Sequence, residues 1–126
     1  MQTGPARKLI IYVDEKDRLH HKPVYEIVVD ILYEKKILGL SVFRGIGGYG
    51  SDGVLHTAKM LELSSDLPVK IEAVDSEEKI MEVLPELCEV VQKCLIELSE
   101  TTVVRCPADR GAKGGKNVSE GGSSVK

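Results

Sequence analysis

The stretch GLSVFRGIGGYG, Gly39–Gly50, runs from a strand into a loop and not into a helix. Leu40–Phe43 has the β-branched and aromatic content of a strand. The chain then reads RGIGGYGSDG, Arg44–Gly53, with five glycines in ten residues. After a polar stretch to Asp66, LPVKIEAVD (Leu67–Asp75) is again a strand, with Pro68 tolerated at its start. Two successive strands joined by a loop, with no helix between them, define the centre of the fold.

Upstream, Val24, Ile27, Val28, Ile31 and Leu32 form the stripe of an amphipathic helix that begins near Pro23. Gly39 is expected as its C-terminal glycine. RKLIIYV, Arg7–Val13, is a strand apolar on both faces, with Leu9, Ile11 and Val13 on one and Ile10 and Tyr12 on the other. Downstream, Ser76 is a candidate N-cap, with Glu77 and Glu78 complementing the helix dipole. The second helix is expected to carry Ile80, Leu84, Leu87, Val91, Cys94, Leu95 and Leu98 on one side, with a kink or break at Pro85. TTVVRC, Thr101–Cys106, is the fourth strand.

The order is β-α-β-β-α-β, an α+β ferredoxin-like pattern. Right-handed crossovers place both helices on one face of a four-stranded antiparallel sheet. The other face then meets water. Yet the strands carry apolar residues on both faces, with Ile10 and Tyr12 against Leu9 and Ile11, Val42 against Phe43, and Val103 against Val104. An apolar uncovered face needs a partner, and a homo-oligomer with facing sheets is expected.

With 126 residues, one domain is expected over 1–106. Residues 107–126, rich in Gly, Ser and Lys, are expected to be a disordered tail. The core must be aliphatic, because the chain has no Trp and one Phe. The net charge of −3 splits into +2 on the last twenty residues and −5 on the body. An acidic body argues against nucleic-acid binding, which needs a basic face. No apolar run approaches the roughly 20 residues of a membrane span. MQTGPARK at the start lacks the apolar core of a signal peptide, so a cytoplasmic protein without membrane insertion is expected. Cys88, Cys94 and Cys106 form no C-x-x-C pair and are expected as small core residues.

Successive glycines can turn their backbone N–H groups toward an anion, and Arg44 can add a bidentate contact to phosphate or carboxylate. The alternative is a flexible connector with Arg44 as a solvated strand-end charge. The loop is no Walker motif, since no G-K-[ST] follows, and no Rossmann fingerprint, since it opens no helix. His20 and His21 are adjacent and lack the spacing of a metal site. His56 lies in the loop, where it could fold over a bound anion. No nucleophile, base and orienting group can be assembled; Ser64, Ser65 and Asp66 read as a turn. DEKDR (Asp14–Arg18) and DSEEK (Asp75–Lys79) read as solvated turn and helix-start charges.

Taken together, GLSVFRGIGGYG, the loop with His56, and LSSDLPVKIEAVDSEEKI resemble an uncharacterised prokaryotic family of PII-like proteins, and more distantly the PII nitrogen-signalling proteins. Gly48, Tyr49 and Gly50 match the Gly-Phe-Gly of PII. Leu67, Pro68, Val69, Ile71 and Glu72 match its returning strand. The resemblance spans about residues 7–106. It implies a trimer that binds an adenine nucleotide (AMP, ADP or ATP) between subunits and signals through the 45–65 loop to a protein target. The resemblance favours the anion-binding reading of the loop, whose ligand-binding set is Arg44, Gly45, Gly47, Gly48, Tyr49, Gly50 and His56; the residue spacing offers no catalytic residue and no metal site. Three features depart from PII. Ser51 stands where PII has Arg, the Gly- and Lys-bearing turn before the last strand is absent, and no Tyr lies between Ser51 and Asp66. The first two remove phosphate contacts, and the third removes an acceptor for uridylylation. Two other activities share the frame: an acylphosphatase-like enzyme, whose first-strand signature and Asn are not evident here, and a divalent-metal-handling trimer.

Overall fold

The computed structural model describes residues 2–50, 53–57, 66–92 and 95–107, with the backbone alone at 56–57. Strand β1 spans Gln2–Asp14. A small ribbon follows, β2 (Arg18–Leu19) and β3 (Lys22–Pro23), and then helix α1 (Val24–Glu34). Strand β4 (Gly39–Arg44) leads into a second ribbon, β5 (Gly47–Gly48) with β6 (His56–Thr57). Strand β7 (Pro68–Asp75), helix α2 (Glu77–Val90) and strand β8 (Leu95–Arg105) complete the described elements. The long strands form one antiparallel sheet in the order β4-β7-β1-β8. This is the ferredoxin-like arrangement that the element order predicts.

β1 lies inside the sheet and pairs on both sides. Leu9, Ile11 and Val13 stand opposite Ala73, Ile71 and Val69 of β7, and all six are buried. Val24, Val28, Ile31 and Leu32 of α1 close over this row together with Ile80, Val83 and Leu87 of α2. Each such side chain contributes roughly 1.5–3 kcal/mol on burial. No polar or charged residue among those described is buried, so the core is held by packing alone.

The expected helix ends need two corrections, and of the kink or break expected at Pro85 the break does not occur. Gly39 does not terminate α1; it is the first residue of β4. Lys36 takes the left-handed position instead, with φ 58°. Its N–H donates to the Tyr33 carbonyl at 3.0 Å, and the Ile37 N–H donates to the Leu32 carbonyl at 3.2 Å. These two bonds make a Schellman motif, and Ile37 packs against the core as its apolar partner. Helix α2 runs through Pro85 as one element, without a break. It stops at Val90, so Leu95 and Leu98 belong to β8, which begins six residues before the expected Thr101. The helical period of these leucines was misleading because β8 pairs with β1 along its whole length, from Leu95 opposite Tyr12 to Arg105 opposite Gln2. Ile96 and Leu98 thereby face the same side as Ile11 and Leu9.

The Ser76 cap is present: its hydroxyl accepts the Lys79 N–H at 3.3 Å. The preceding Asp75 accepts the Leu38 N–H at 2.8 Å, tying the end of β7 to the segment that enters β4. Cys88 and Cys106 are exposed free thiols and not core residues. Cys94 and residues 108–126 of the expected tail lie outside the described residues. No helix among the described residues is long and apolar enough to cross a membrane.

The sheet face away from the helices mixes apolar and charged groups. Register puts Ile10, Tyr12, Phe43, Leu95 and Val103 on it, while Val42 and Val104 face the helix side. Tyr12, Phe43 and Leu95 are 37%, 48% and 59% exposed. Lys70 crosses this face, with its Nζ 5.1 Å from the centre of the Phe43 ring and 2.9 Å from the Glu72 carboxylate. The hydrogen bond to Glu72 raises the Lys70 pKa and lowers that of Glu72.

A non-glycine residue in the left-handed region is strained, by roughly 1–2 kcal/mol. Replacing Lys36 by Gly removes that strain but enlarges the entropy of the unfolded chain. Lys36→Gly is expected to stabilise the protein by about 0.5–1 kcal/mol net. A thermal unfolding midpoint that stays level or falls would show that Lys36 is not held at positive φ.

Candidate functional site

The glycine loop leaves the sheet where three strands end together. The Gly45 N–H donates to the Pro68 carbonyl at 2.7 Å, and the Glu15 N–H donates to the Leu67 carbonyl at 2.9 Å. The Lys16 N–H reaches the Asp66 carboxylate at 3.4 Å. Both ends of the 45–66 segment are therefore tied to the sheet and to the residues that follow β1.

Three glycines of the loop have a structural reason to be glycine; one is Gly53, which takes the left-handed region with φ 71°. A Cβ at Gly45 would come within 2.9 Å of the Pro68 ring and 3.4 Å of its carbonyl oxygen. Gly48 has φ +154°, and a Cβ there would touch Pro68 at 3.6 Å. Gly50 has open space around it and no left-handed backbone. The loop's glycines were expected to present N–H groups to an anion. The Gly45 N–H is instead spent on Pro68, and Gly47 and Gly48 stand in register with Thr57 and His56 of the ribbon. Of His56 only the backbone position is described, opposite Gly48.

Arg44, the last residue of β4, shares the helix-side face with Val69, its register partner. Its guanidinium is gripped by Glu15: Nη2 donates to Oε1 at 3.0 Å, and Nε lies 2.9 Å from Oε2. This two-pronged pair reaches over β7, which separates β1 from β4. Arg44 is half-exposed and Glu15 more covered, with side chains at 52% and 26%. Arg44 is thus neither a free anion receptor nor a merely solvated charge. Glu15 was not singled out from the sequence, where it sits in DEKDR as one turn charge among several. Its signal was positional: it is the first residue beyond β1, beside the returning strand.

Around this base the loop exposes apolar side chains, with Ile46 at 83% and Tyr49 at 73%. His20 and His21 lie elsewhere, at the tip of the β2–β3 ribbon. Both have positive φ, 53° and 69°, as a two-residue hairpin turn of mirror-image type requires. Among the described residues no three His, Cys, Asp or Glu side chains converge as metal ligands. Ser51, Ser64 and Ser65 lie outside the described residues. Among the described residues, two clefts lie away from the loop. One, of about 240 Å³, lies between Gln2–Ala6, Leu38, Ser76 and Arg105; the other, of about 160 Å³, lies beside Arg18, Val24 and Val90. Neither is lined by the glycine loop.

The different demands on the glycines can be measured. Gly45→Ala forces the Pro68 ring or the strand end to shift and should cost about 1–3 kcal/mol, the scale of overpacking. Gly50→Ala, in open space, should leave denaturant unfolding within about 0.5 kcal/mol of the parent. Equal stabilities for the two variants would mean that Gly45 is not packed on Pro68.

Comparison with known proteins gives the family and the fold. The family model described as "Uncharacterized ACR", DUF190, matches residues 6–103. A UPF0166 protein of Methanocaldococcus jannaschii is 42% identical over 87 residues, 69% of this chain and 80% of that protein. A UPF0166 protein of Aquifex aeolicus is 34% identical over 87 residues, covering 69% and 83%. Among solved structures, CPII, a nitrogen regulatory PII-like protein from Thiomonas intermedia K12 bound to ADP, AMP and bicarbonate, superposes with a TM-score of 0.62. The identity is 18%, over 82% of this chain and all (100%) of that one. Its apo form superposes with a TM-score of 0.57 at 18% identity, over 83% and 98%. The glycine-loop sheet of this protein is therefore a PII-like ferredoxin-like fold, and the chain belongs to the uncharacterised prokaryotic family DUF190.

Proposed function

We propose that this protein is a PII-like regulatory protein and not an enzyme. It binds a small anionic effector, an adenine nucleotide, at the base of the glycine loop, and the 45–65 loop reports occupancy to a protein target. The observation that carries this reading is Arg44, a guanidinium held half-exposed at the root of a glycine-rich loop. The neighbouring fold supports the ligand class, since CPII was solved with ADP and AMP. The remaining members of the site are Gly45, Gly47, Gly48, Tyr49, Gly50 and His56. Gly45 shapes the loop base, Gly48 and Gly50 allow a phosphate to approach the backbone, and Tyr49 offers a ring to stack.

Among the described residues, neither cleft of one subunit encloses this site. A nucleotide pocket normally covers most of its ligand, in a cavity of roughly 300–1,000 Å³. The described clefts of about 240 and 160 Å³ are smaller and lie away from the loop. A second subunit supplies the missing wall. Sheet faces bearing Ile10, Tyr12, Phe43 and Val103 then meet in a homotrimer; the number three rests on the resemblance to PII.

Calorimetry with AMP, ADP and ATP tests the nucleotide. Arg44→Ala should weaken binding by about 1.5–3 kcal/mol, the scale of a hydrogen bond to a charged group. Gly50→Val should abolish binding without loss of stability, because the side chain enters open space in the free protein. Wild-type protein that binds none of the three ends the assignment. Assembly is tested by solution mass: Val103→Asp, on the outer face, should yield monomer or aggregate, while Val104→Asp, on the helix side, should keep the parent mass. A monomeric wild type at micromolar concentration would refute the oligomer.

A further inference from the structure

We propose that Glu15 is a positioning residue for anion binding at the loop base, acting through Arg44; this rests on the reading of Arg44 given above. Its carboxylate holds the guanidinium by two bonds, Nη2 to Oε1 at 3.0 Å and Nε to Oε2 at 2.9 Å. Arginine carries five N–H donors in a rigid plane. The pair uses two of them along one edge, and the other three, on Nη1 and Nη2, are the donors that can meet an anion.

Stability does not account for such a pair. Exposed ion pairs contribute little, since ordering two long side chains offsets most of the attraction. Orientation does account for it. A free arginine at a strand end samples many rotamers, and freezing one on binding costs affinity. Glu15 carries that ordering in the free protein. Its own backbone is fixed, because its N–H donates to Leu67 at 2.9 Å and the next N–H, from Lys16, reaches Asp66 at 3.4 Å. The guanidinium is therefore referenced to the strand-end framework to which Gly45 is also bonded through Pro68. The arrangement has an electrostatic cost, because the carboxylate repels the same anion that Arg44 attracts. Glu15 thus has two opposed effects, and only one of them depends on Arg44.

That difference gives the test. Titration calorimetry with ADP and with inorganic pyrophosphate is carried out on full-length wild type, Glu15→Gln, Arg44→Ala and the double variant. With Arg44 present, Glu15→Gln should weaken both probes severalfold. In the Arg44→Ala background the same change should have no effect or should strengthen binding, since only repulsion is then removed. Glu15→Gln that binds as well as wild type, or that weakens binding equally in both backgrounds, overturns the proposal. Wild type that binds pyrophosphate but not ADP, with the expected pattern, overturns the nucleotide assignment and leaves Glu15 in its role. Binding of neither probe overturns both. NMR of the Arg44 Nε–H in the ligand-free protein gives an independent readout: an ordered, protected signal in wild type that is lost in Glu15→Gln. An Arg44 equally ordered without the carboxylate refutes the positioning role.

Discussion

The structure depends on β1 being paired on both sides while one of its faces is sealed under two helices. Leu9, Ile11 and Val13 meet β7 through Ala73, Ile71 and Val69, and α1 and α2 close over them. A slip of one residue in either ladder would turn this row toward water, so the register is strongly specified. With the register set, the end of β1 must lie beside the start of β7. Glu15 and Lys16 are thereby delivered to Leu67 and Asp66.

The same constraint builds the loop base. β4 pairs with β7 from Gly39 opposite Val74 to Arg44 opposite Val69. The glycine loop must therefore leave the sheet next to Pro68, and its first residue must be small enough to pass the proline ring. Gly45 answers a packing demand and Gly48 a conformational one, while Gly50 answers neither. The glycine density of this segment thus has more than one cause.

Charge follows the same geometry. The helix-side end of the sheet carries the Arg44–Glu15 pair, and the outer face carries Lys70 between Phe43 and Glu72. Neither pair is buried, so neither makes a large contribution to stability. One orients a cation at the end of the edge strand β4, the other a cation on the open face of the interior strand β7. The outer face is less apolar than the strand pattern alone suggests, because Lys70 and Glu72 interrupt the row of Tyr12 and Phe43.

The sequence by itself determined what depends on local periodicity and end chemistry. The stripe of α1, the Ser76 cap, the two apolar rows of β1 and the β-α-β-β-α-β order were all legible, because each is encoded within a few neighbouring residues; which row of β1 faces the helices was not. Tertiary structure decided what depends on partners far along the chain. The leucines after Val91 continue the helical period of α2, yet Leu95 and Leu98 are strand residues, because pairing with β1 satisfies more of their backbone than another helical turn would. Lys36 rather than Gly39 takes the left-handed position after α1, and the Ile37 that follows packs against the core. In the site, the glycines and Arg44 were visible as a motif. Glu15 was not, because nothing in DEKDR separates one carboxylate from the next. Only the meeting of β1, β7 and β4 at one end of the sheet brings residues 15 and 44 within hydrogen-bonding distance.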